Sequence, residues 1–293
     1  MELTMESVEY DRTGKINLDK VYNRDEPTAY FSTLSKLDYS IPQAAKPMFD
    51  RVIKARRATT RERKLKVVDI GCSYGVNAAL LKHGLTMAEL YQLYTQGIAG
   101  DRAALLKRDK SVFADADDGE MEVIGIDQAR NAVEYAVDAG AMDAGIATDL
   151  ENTEPTARDR QTLDGADLII STGCFGYVTQ KSLERLLKAA GKSRPWMAHF
   201  VLRMFDFDRA ATMLERHGYV TEKAQGLFRQ RRFASDEEKQ HVLDNLAERK
   251  IDPKGAEETG WYFAELYVAR PKDDADKMPL AEMMAGAAPA SAN

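Results

Sequence analysis

An acid followed by a glycine-bearing turn is the most chemically suggestive stretch of this sequence: Val67-Val68-Asp69-Ile70-Gly71-Cys72-Ser73-Tyr74-Gly75. Gly71 lets the backbone bend tightly and lets a ligand approach where a Cβ would otherwise stand. The helix expected after Gly75 would add free N–H groups at its start. Glycines at 71 and 75, with Ser73 between them and Val76 beyond, do not fit the G-x-G-x-x-G that a dinucleotide pyrophosphate requires. Further polar residues close other apolar runs: Asp127, Asp149 with Leu150 beside it, and Ser171 followed by Thr172-Gly173. Acids at strand ends share the carboxyl edge, where open α/β sheets bind ligands. The segment from Ser171 to Tyr177 (STGCFGY) is loop-like and brings Phe175 and Tyr177 to that edge. His199, inside a later apolar run, is a candidate general base. Arg203, at the end of that run, is suited to grip a substrate carboxylate with two parallel hydrogen bonds. His83, His199, His217 and His241 show no ligand spacing, so no metal site is expected. Cys72 and Cys174 follow two strand ends and read as small buried hydrophobes.

These residues need a scaffold that sets strand ends side by side. Short apolar runs at 65–70, 122–127, 145–148, 166–171 and 196–204 read as buried strands. Helical stretches at 76–83, 86–115, 128–139, 180–190 and 206–217 separate or follow them. That alternation predicts an α/β, doubly wound, Rossmann-like sheet with helices on both faces. Two late strands, 219–233 and 261–268, flank a helix that starts at the Ser235/Glu238 capping box and runs to about 249. They predict an antiparallel hairpin at one edge, giving a seven-stranded, mostly parallel sheet. The expected organisation is a helical N-terminal extension (1–60, helices near 28–37 and 42–57), a ligand-binding domain (61–271) and a tail (272–293). A helical insertion at about 86–118 opens with a Thr86/Glu89 capping box. The tail is charged, then Ala-rich, without apolar periodicity, and is predicted to be mobile.

Over roughly residues 60–270 the sequence resembles the class I S-adenosylmethionine-dependent methyltransferases. Asp69, Gly71 and Gly75 match the acid and G-x-G-x-G of that family's first motif; Ser73 departs from it conservatively. The resemblance implies S-adenosylmethionine as cofactor, held by Asp69, Gly71, Ser73, Tyr74 and Gly75. It implies that Asp127 holds the ribose hydroxyls, a task suited to a carboxylate that accepts two hydrogen bonds. Asp149 would read the adenine amino group, with Leu150 supplying a backbone donor, and Ser171 would line the transfer site. Asp127 lies further from Asp69 than is usual in the family; the surplus matches the insertion at 86–118. Aromatic faces can hold a sulfonium and exclude water, which makes Tyr74, Phe175 and Tyr177 candidates for that role. Tyr177 and His199 are the catalytic candidates. Tyr30, Phe175 and Arg203 are the substrate-binding candidates. Family members acting on small molecules use N-terminal extensions as lids, a role expected here for residues 10–40 with Tyr22, Tyr30, Phe31 and Tyr39.

The 293 residues are 44% hydrophobic and 30% charged, enough for a sizeable core, and the formal charge is −6. No Lys/Arg block stands out, which disfavours a nucleic-acid substrate. The densest basic spot, Arg229 to Arg232, reads as a solvated strand or turn face. No long apolar span or export signal is visible, and two cysteines fit a reducing compartment. A cytoplasmic, monomeric or homodimeric enzyme of small-molecule biosynthesis is therefore expected, binding neither membrane nor nucleic acid. Methyl transfer, with S-adenosylhomocysteine as product, leads. Cyclisation of the cofactor's aminobutyrate arm to azetidine-2-carboxylate, releasing methylthioadenosine, is a second reading. A non-catalytic S-adenosylmethionine-binding protein is a third, and an NAD-dependent dehydrogenase a fourth.

Overall fold

The computed structural model describes residues 10–11, 14–60, 64–95, 101–116 and 119–286. Its strands are β1 (Leu65–Ile70), β2 (Met121–Asp127), β3 (Ala144–Ala147), β4 (Leu168–Thr172), β5 (Trp196–Leu202), β6 (Tyr219–Lys223), β7 (Phe228–Arg232) and β8 (Trp261–Pro271). They form one eight-stranded sheet in the order β3-β2-β1-β4-β5-β8-β6, with β7 also paired to β8. Strands β1 to β5 are parallel, and β8 inserts antiparallel between β5 and β6. The sheet is α/β and doubly wound, as the alternation predicts.

The expected edge pair is present with one refinement. β6 and β7 follow one another along a single edge of β8: Lys223 faces Tyr267 and Phe228 faces Ala264. Residues 224–227 therefore stand opposite only Glu265 and Leu266, an irregularity that splits one lane of the sheet into two strands. Seven lanes are thus built from eight strands. Gly226, at φ +109°, makes the detour.

Alternation along the strands explains two separate cores. Val67, Val123, Leu168, Ile170, Ala198 and Phe200 face one side; Val68, Ile124, Ile126, Ile169, Met197 and Val201 face the other. Helices Ala157–Leu163, Gln180–Ala189 and Asp208–Arg216 cover the second face through Leu163, Leu183, Leu186 and Leu214. The first of these went unread in the sequence, although Thr156 and Asp159 form a reciprocal capping box at its start.

The first face is covered largely by the N-terminal helices Thr28–Ser35 and Ile41–Thr59. Phe31, Leu34, Ile41, Phe49 and Val52 are buried there, and Phe49 meets Phe200 edge-on at 5.2 Å. These helices are part of the core rather than an appended arm. The insertion consists of helices Met87–Thr95 and Arg102–Ala116. Tyr94 stacks on Phe31 at 4.5 Å, and the hydroxyls of Tyr94 and Tyr135 both donate to buried Asp109 at 2.7 Å. The insertion thus props the N-terminal helices from outside.

The expectation of a mobile tail from 272 needs correction. Helices Lys272–Lys277 and Leu280–Met283 follow β8, and Leu280 and Met283 are buried. The Trp196 indole donates to Asp274 at 2.8 Å. Two apolar side chains and one indole acceptor suffice to dock a segment too short to show periodicity. Residues 287–293, and Arg12 and Thr13 of the expected lid, lie outside the described residues.

Candidate active site

Strand order reverses between β1 and β4, so their carboxyl ends open a crevice. The turn after β1 fills that position with left-handed backbone at Gly71 (φ +71°), Ser73 (φ +48°) and Gly75 (φ +75°). A Cβ at Gly71 would stand 2.8 Å from the Cβ of Cys174, so the loops after β1 and β4 touch there. Ser73 adopts a conformation that costs a side-chain-bearing residue roughly 1–2 kcal/mol. Its N–H donates to Asp127 Oδ2 at 2.9 Å, which ties the turn to the end of β2. Asp127 Oδ1 accepts from Ala129 N–H at 2.9 Å. Each carboxylate oxygen keeps a second acceptor site. Burial raises the Asp127 pKa.

Asp69 is fully buried on the face of the N-terminal helices. Its Oδ1 accepts from the Asn77 amide at 3.0 Å, and that amide also donates to Thr172 Oγ1 at 3.1 Å. Oδ2 has no hydrogen-bond partner among the described residues. Burial pushes the Asp69 pKa up to about 7, against the pull of Asn77. The Tyr39 hydroxyl lies beside Thr172 and Asp69, and the Tyr30 hydroxyl beside Ser73. Tyr30 packs at 5.3 Å from both Tyr22 and Tyr74. The Tyr74 hydroxyl donates to the Arg24 carbonyl at 2.8 Å, so it fastens the N-terminal segment to the turn. Of the expected lid aromatics, Tyr30 and Tyr39 reach the site and Tyr22 adjoins Tyr30. Phe31 stacks on Tyr94 instead.

Several predicted residues sit elsewhere. Alternation puts Ser171 and His199 on the opposite face from Asp69 and Thr172. The Ser171 hydroxyl and His199 Nδ1 are 2.8 Å apart, in register on β4 and β5. His199 is closed in by Phe175 at 5.3 Å and Phe207 at 5.8 Å, and burial lowers its pKa to about 3. It is a neutral core histidine, and Phe175 is its packing partner. Thr172, one residue further on, occupies the place expected for Ser171. Arg203 donates to the Glu257 carboxylate at 2.6 Å and to the Asp252 carbonyl at 2.8 Å, so its guanidinium is committed to its own chain. Asp149 accepts from Glu151 N–H at 2.9 Å and from the Asn152 amide at 2.7 Å, closing its own turn, while Leu150 beside it is buried. Cys72 faces Gly125 and Cys174 faces Gly71; burial raises both thiols, Cys174 to about 12, which leaves neither nucleophilic.

The roof contains residues that sequence reasoning missed. Arg231 and Glu238 form a buried two-bond ion pair at 2.9 and 2.7 Å. Glu238 also accepts from Ile16 N–H and Ala234 N–H at 2.7 Å each, and Tyr10 Oη lies 2.8 Å from Ser235 Oγ. These bonds pin Tyr10 and Ile16 to the start of helix Asp236–Glu248. The Tyr177 hydroxyl donates to Asp11. The basic spot read as solvated is only partly so: a bulge between Arg229 and Arg232 turns both Gln230 and Arg231 inward. The Gln230 amide closes on Gly173, which carries φ +74°. Main-chain bonds from Ser40 N–H to Gln230 O and from Arg232 N–H to Leu37 O, each 2.8 Å, stitch β7 to the N-terminal segment. The signals were present as RQRR and as the S-x-x-E box, but each also describes a solvated element.

Among the described residues no His, Cys, Asp and Glu group could hold a metal, and no helix is long and apolar enough to cross a membrane. No protein-family model and no curated protein matches the sequence. Solved structures overlap it partially. The plantazolicin methyltransferase BpumL in complex with SAH is 15% identical, with 76% of this chain and 85% of that one covered at a TM-score of 0.37. Magnesium protoporphyrin IX methyltransferase (ChlM) from Synechocystis PCC 6803 with bound SAM is 12% identical, covering 78% and 80% at 0.38. A cyclopropane-fatty-acyl-phospholipid synthase-like protein from Lactobacillus casei ATCC 334 is 11% identical, covering 84% and 99% at 0.38. Likenesses at this level assign no role to any residue of this chain.

Proposed function

We propose that this chain is an S-adenosylmethionine-dependent methyltransferase of the class I fold, acting on a small molecule. The observation that carries the reading is the arrangement at the switch point. A left-handed turn bearing two glycines lies between a buried acid with an unpartnered oxygen, Asp69 Oδ2, and a strand-end acid with acceptor sites to spare, Asp127. These features fit a nucleoside with an amino-acid arm. Asp127 would accept from the ribose hydroxyls. Asp69, with Asn77 and Thr172, would face the amino group of the arm, and its Oδ2 would take up that group's hydrogen. Asp149 and Leu150 would border the base. When bound, S-adenosylmethionine supplies an electrophilic methyl group on sulfur. The chain's own contribution is orientation and exclusion of water, through Tyr30, Tyr39 and the roof. Tyr177, bonded to Asp11, is the aromatic residue of the β4 loop best placed to meet an acceptor.

The net charge of −6 supports a small-molecule rather than a nucleic-acid acceptor. Two free cysteines support a reducing, cytoplasmic setting, with a monomer or homodimer as working unit. A second reading is favoured by the roof, where Tyr177, Arg231 and Glu238 are bonded to this chain's own groups. Ring closure of the aminobutyrate arm, with methylthioadenosine leaving, needs no acceptor. Mass spectrometry after incubation with S-adenosylmethionine separates the readings. S-adenosylhomocysteine formed only with an acceptor supports transfer, and methylthioadenosine formed without one supports cyclisation. Binding without either product leaves a non-catalytic role, and no binding at all overturns the proposal.

A further inference from the structure

Lys15 is a cation in an unusual place. It is 9% exposed, and its Nζ lies 5.3 Å from the centroid of Tyr177 and 5.8 Å from that of Tyr262. Among the described residues, no acceptor comes within hydrogen-bond distance of that ammonium and no carboxylate within ion-pair distance. The nearby acids are committed elsewhere. Glu238 holds both arms of the Arg231 fork and two backbone N–H groups. Asp11 accepts from the backbone N–H of Lys15 at 3.2 Å and from the Tyr177 hydroxyl. The Tyr262 hydroxyl is buried beside Glu238, and no acceptor meets it in hydrogen-bond geometry among the described residues. Two donors lacking acceptors therefore share one aromatic-walled spot, close to Cys174 of the β4 loop. Burying an unpaired ammonium is costly, and native chains keep such groups where a ligand completes them.

We infer that Lys15, with the Tyr262 hydroxyl, forms a subsite for a carboxylate inside the candidate active site. A carboxylate is acceptor-only and can take a bond from each donor at once. The inference rests on the proposed function, in which two molecules could bring that group: S-adenosylmethionine through its own amino-acid arm, or the methyl acceptor. Burial and the neighbouring Arg231 lower the Lys15 pKa to about 8 in the free protein, so the cation is mostly present at neutral pH and lost above it.

Isothermal titration of the full chain tests this with three probes: S-adenosylhomocysteine, decarboxylated S-adenosylmethionine and benzoate. If the cofactor's arm is the source, Lys15→Met weakens S-adenosylhomocysteine by about tenfold or more, leaves the decarboxylated probe unchanged, and Lys15→Arg recovers most of the loss. If the acceptor is the source, Lys15→Met leaves S-adenosylhomocysteine unchanged and abolishes benzoate binding. Should Lys15→Met fail to fold, wild-type protein decides. Affinity for benzoate or S-adenosylhomocysteine must fall as pH rises through about 8 to 9, more steeply than for the decarboxylated probe. Affinities that ignore both the substitution and the pH overturn the subsite. Absence of any nucleoside binding to wild-type protein instead overturns the methyltransferase reading, and benzoate still reports on Lys15.

Discussion

Asp127 holds two backbone N–H groups and has acceptor sites left over, so its removal should be felt at the ligand first. Asp127→Ala is expected to weaken S-adenosylmethionine binding by about tenfold or more. Hydrogen bonds to a charged group contribute about 1.5–3 kcal/mol. Asp127→Asn should lose less, because one acceptor survives; titration calorimetry on folded variants checks both. Asp69 makes a pH prediction of the less common sign. Its folded pKa, about 7, lies above the value near 3.9 of an unfolded chain. Between those values the folded state holds the extra proton, so this group's contribution to stability falls as pH rises from about 4 to 7 and is flat beyond. Denaturant melts should show Asp69→Asn gaining on wild type across that window. A difference independent of pH would mean that Asp69 is ionised in the fold. Alternation alone separates Asp69 from His199: odd positions of β1 and odd positions of β5 face opposite sides of the sheet.

The helix Ile41–Thr59 was expected as an extension and is instead a wall of the core. Phe49 is fully buried against Phe200 and Val52, so Phe49→Ala should cost about 3–5 kcal/mol of unfolding free energy. A detachable lid would leave the melting temperature unmoved. In the loop after β4, Gly173→Ala should cost about 1–2 kcal/mol from its left-handed backbone. Because the Gln230 amide can swing aside, a further Gln230→Ala change should restore little; thermal melts of the single and double variants decide. The parallel strands, their order of appearance and the acid–glycine turn were readable because each is a local pattern: an apolar run, then a residue type that a tight bend demands. Side-chain partners joined between different elements were not readable. Nothing local tells that Glu238 of a capping box turns to Arg231, or that Arg203 meets Glu257. The bulge that brings two consecutive residues, Gln230 and Arg231, inward breaks the alternation from which facing is inferred.

Across the whole molecule, the first face of the sheet is covered by segments from both ends of the chain, and the site lies beneath a roof held by few bonds. Ile16 is fixed to Glu238, Tyr10 to Ser235 and Asp11 to Tyr177. Deleting residues 1–17 should therefore leave the melting temperature nearly unchanged while speeding dissociation of S-adenosylhomocysteine, which stopped-flow fluorescence can follow. An unaltered off-rate would mean that the segment does not gate the site. The split lane of the sheet has its own use. Gln225, Gly226 and Leu227 are exposed and stand outside both registers. Extra residues grafted there would be absorbed by the detour while β6 stays anchored to the far half of β8. A fluorophore attached at that point would sit beside β7, which is sewn to the N-terminal segment, and would serve as a built-in gauge of the roof's opening.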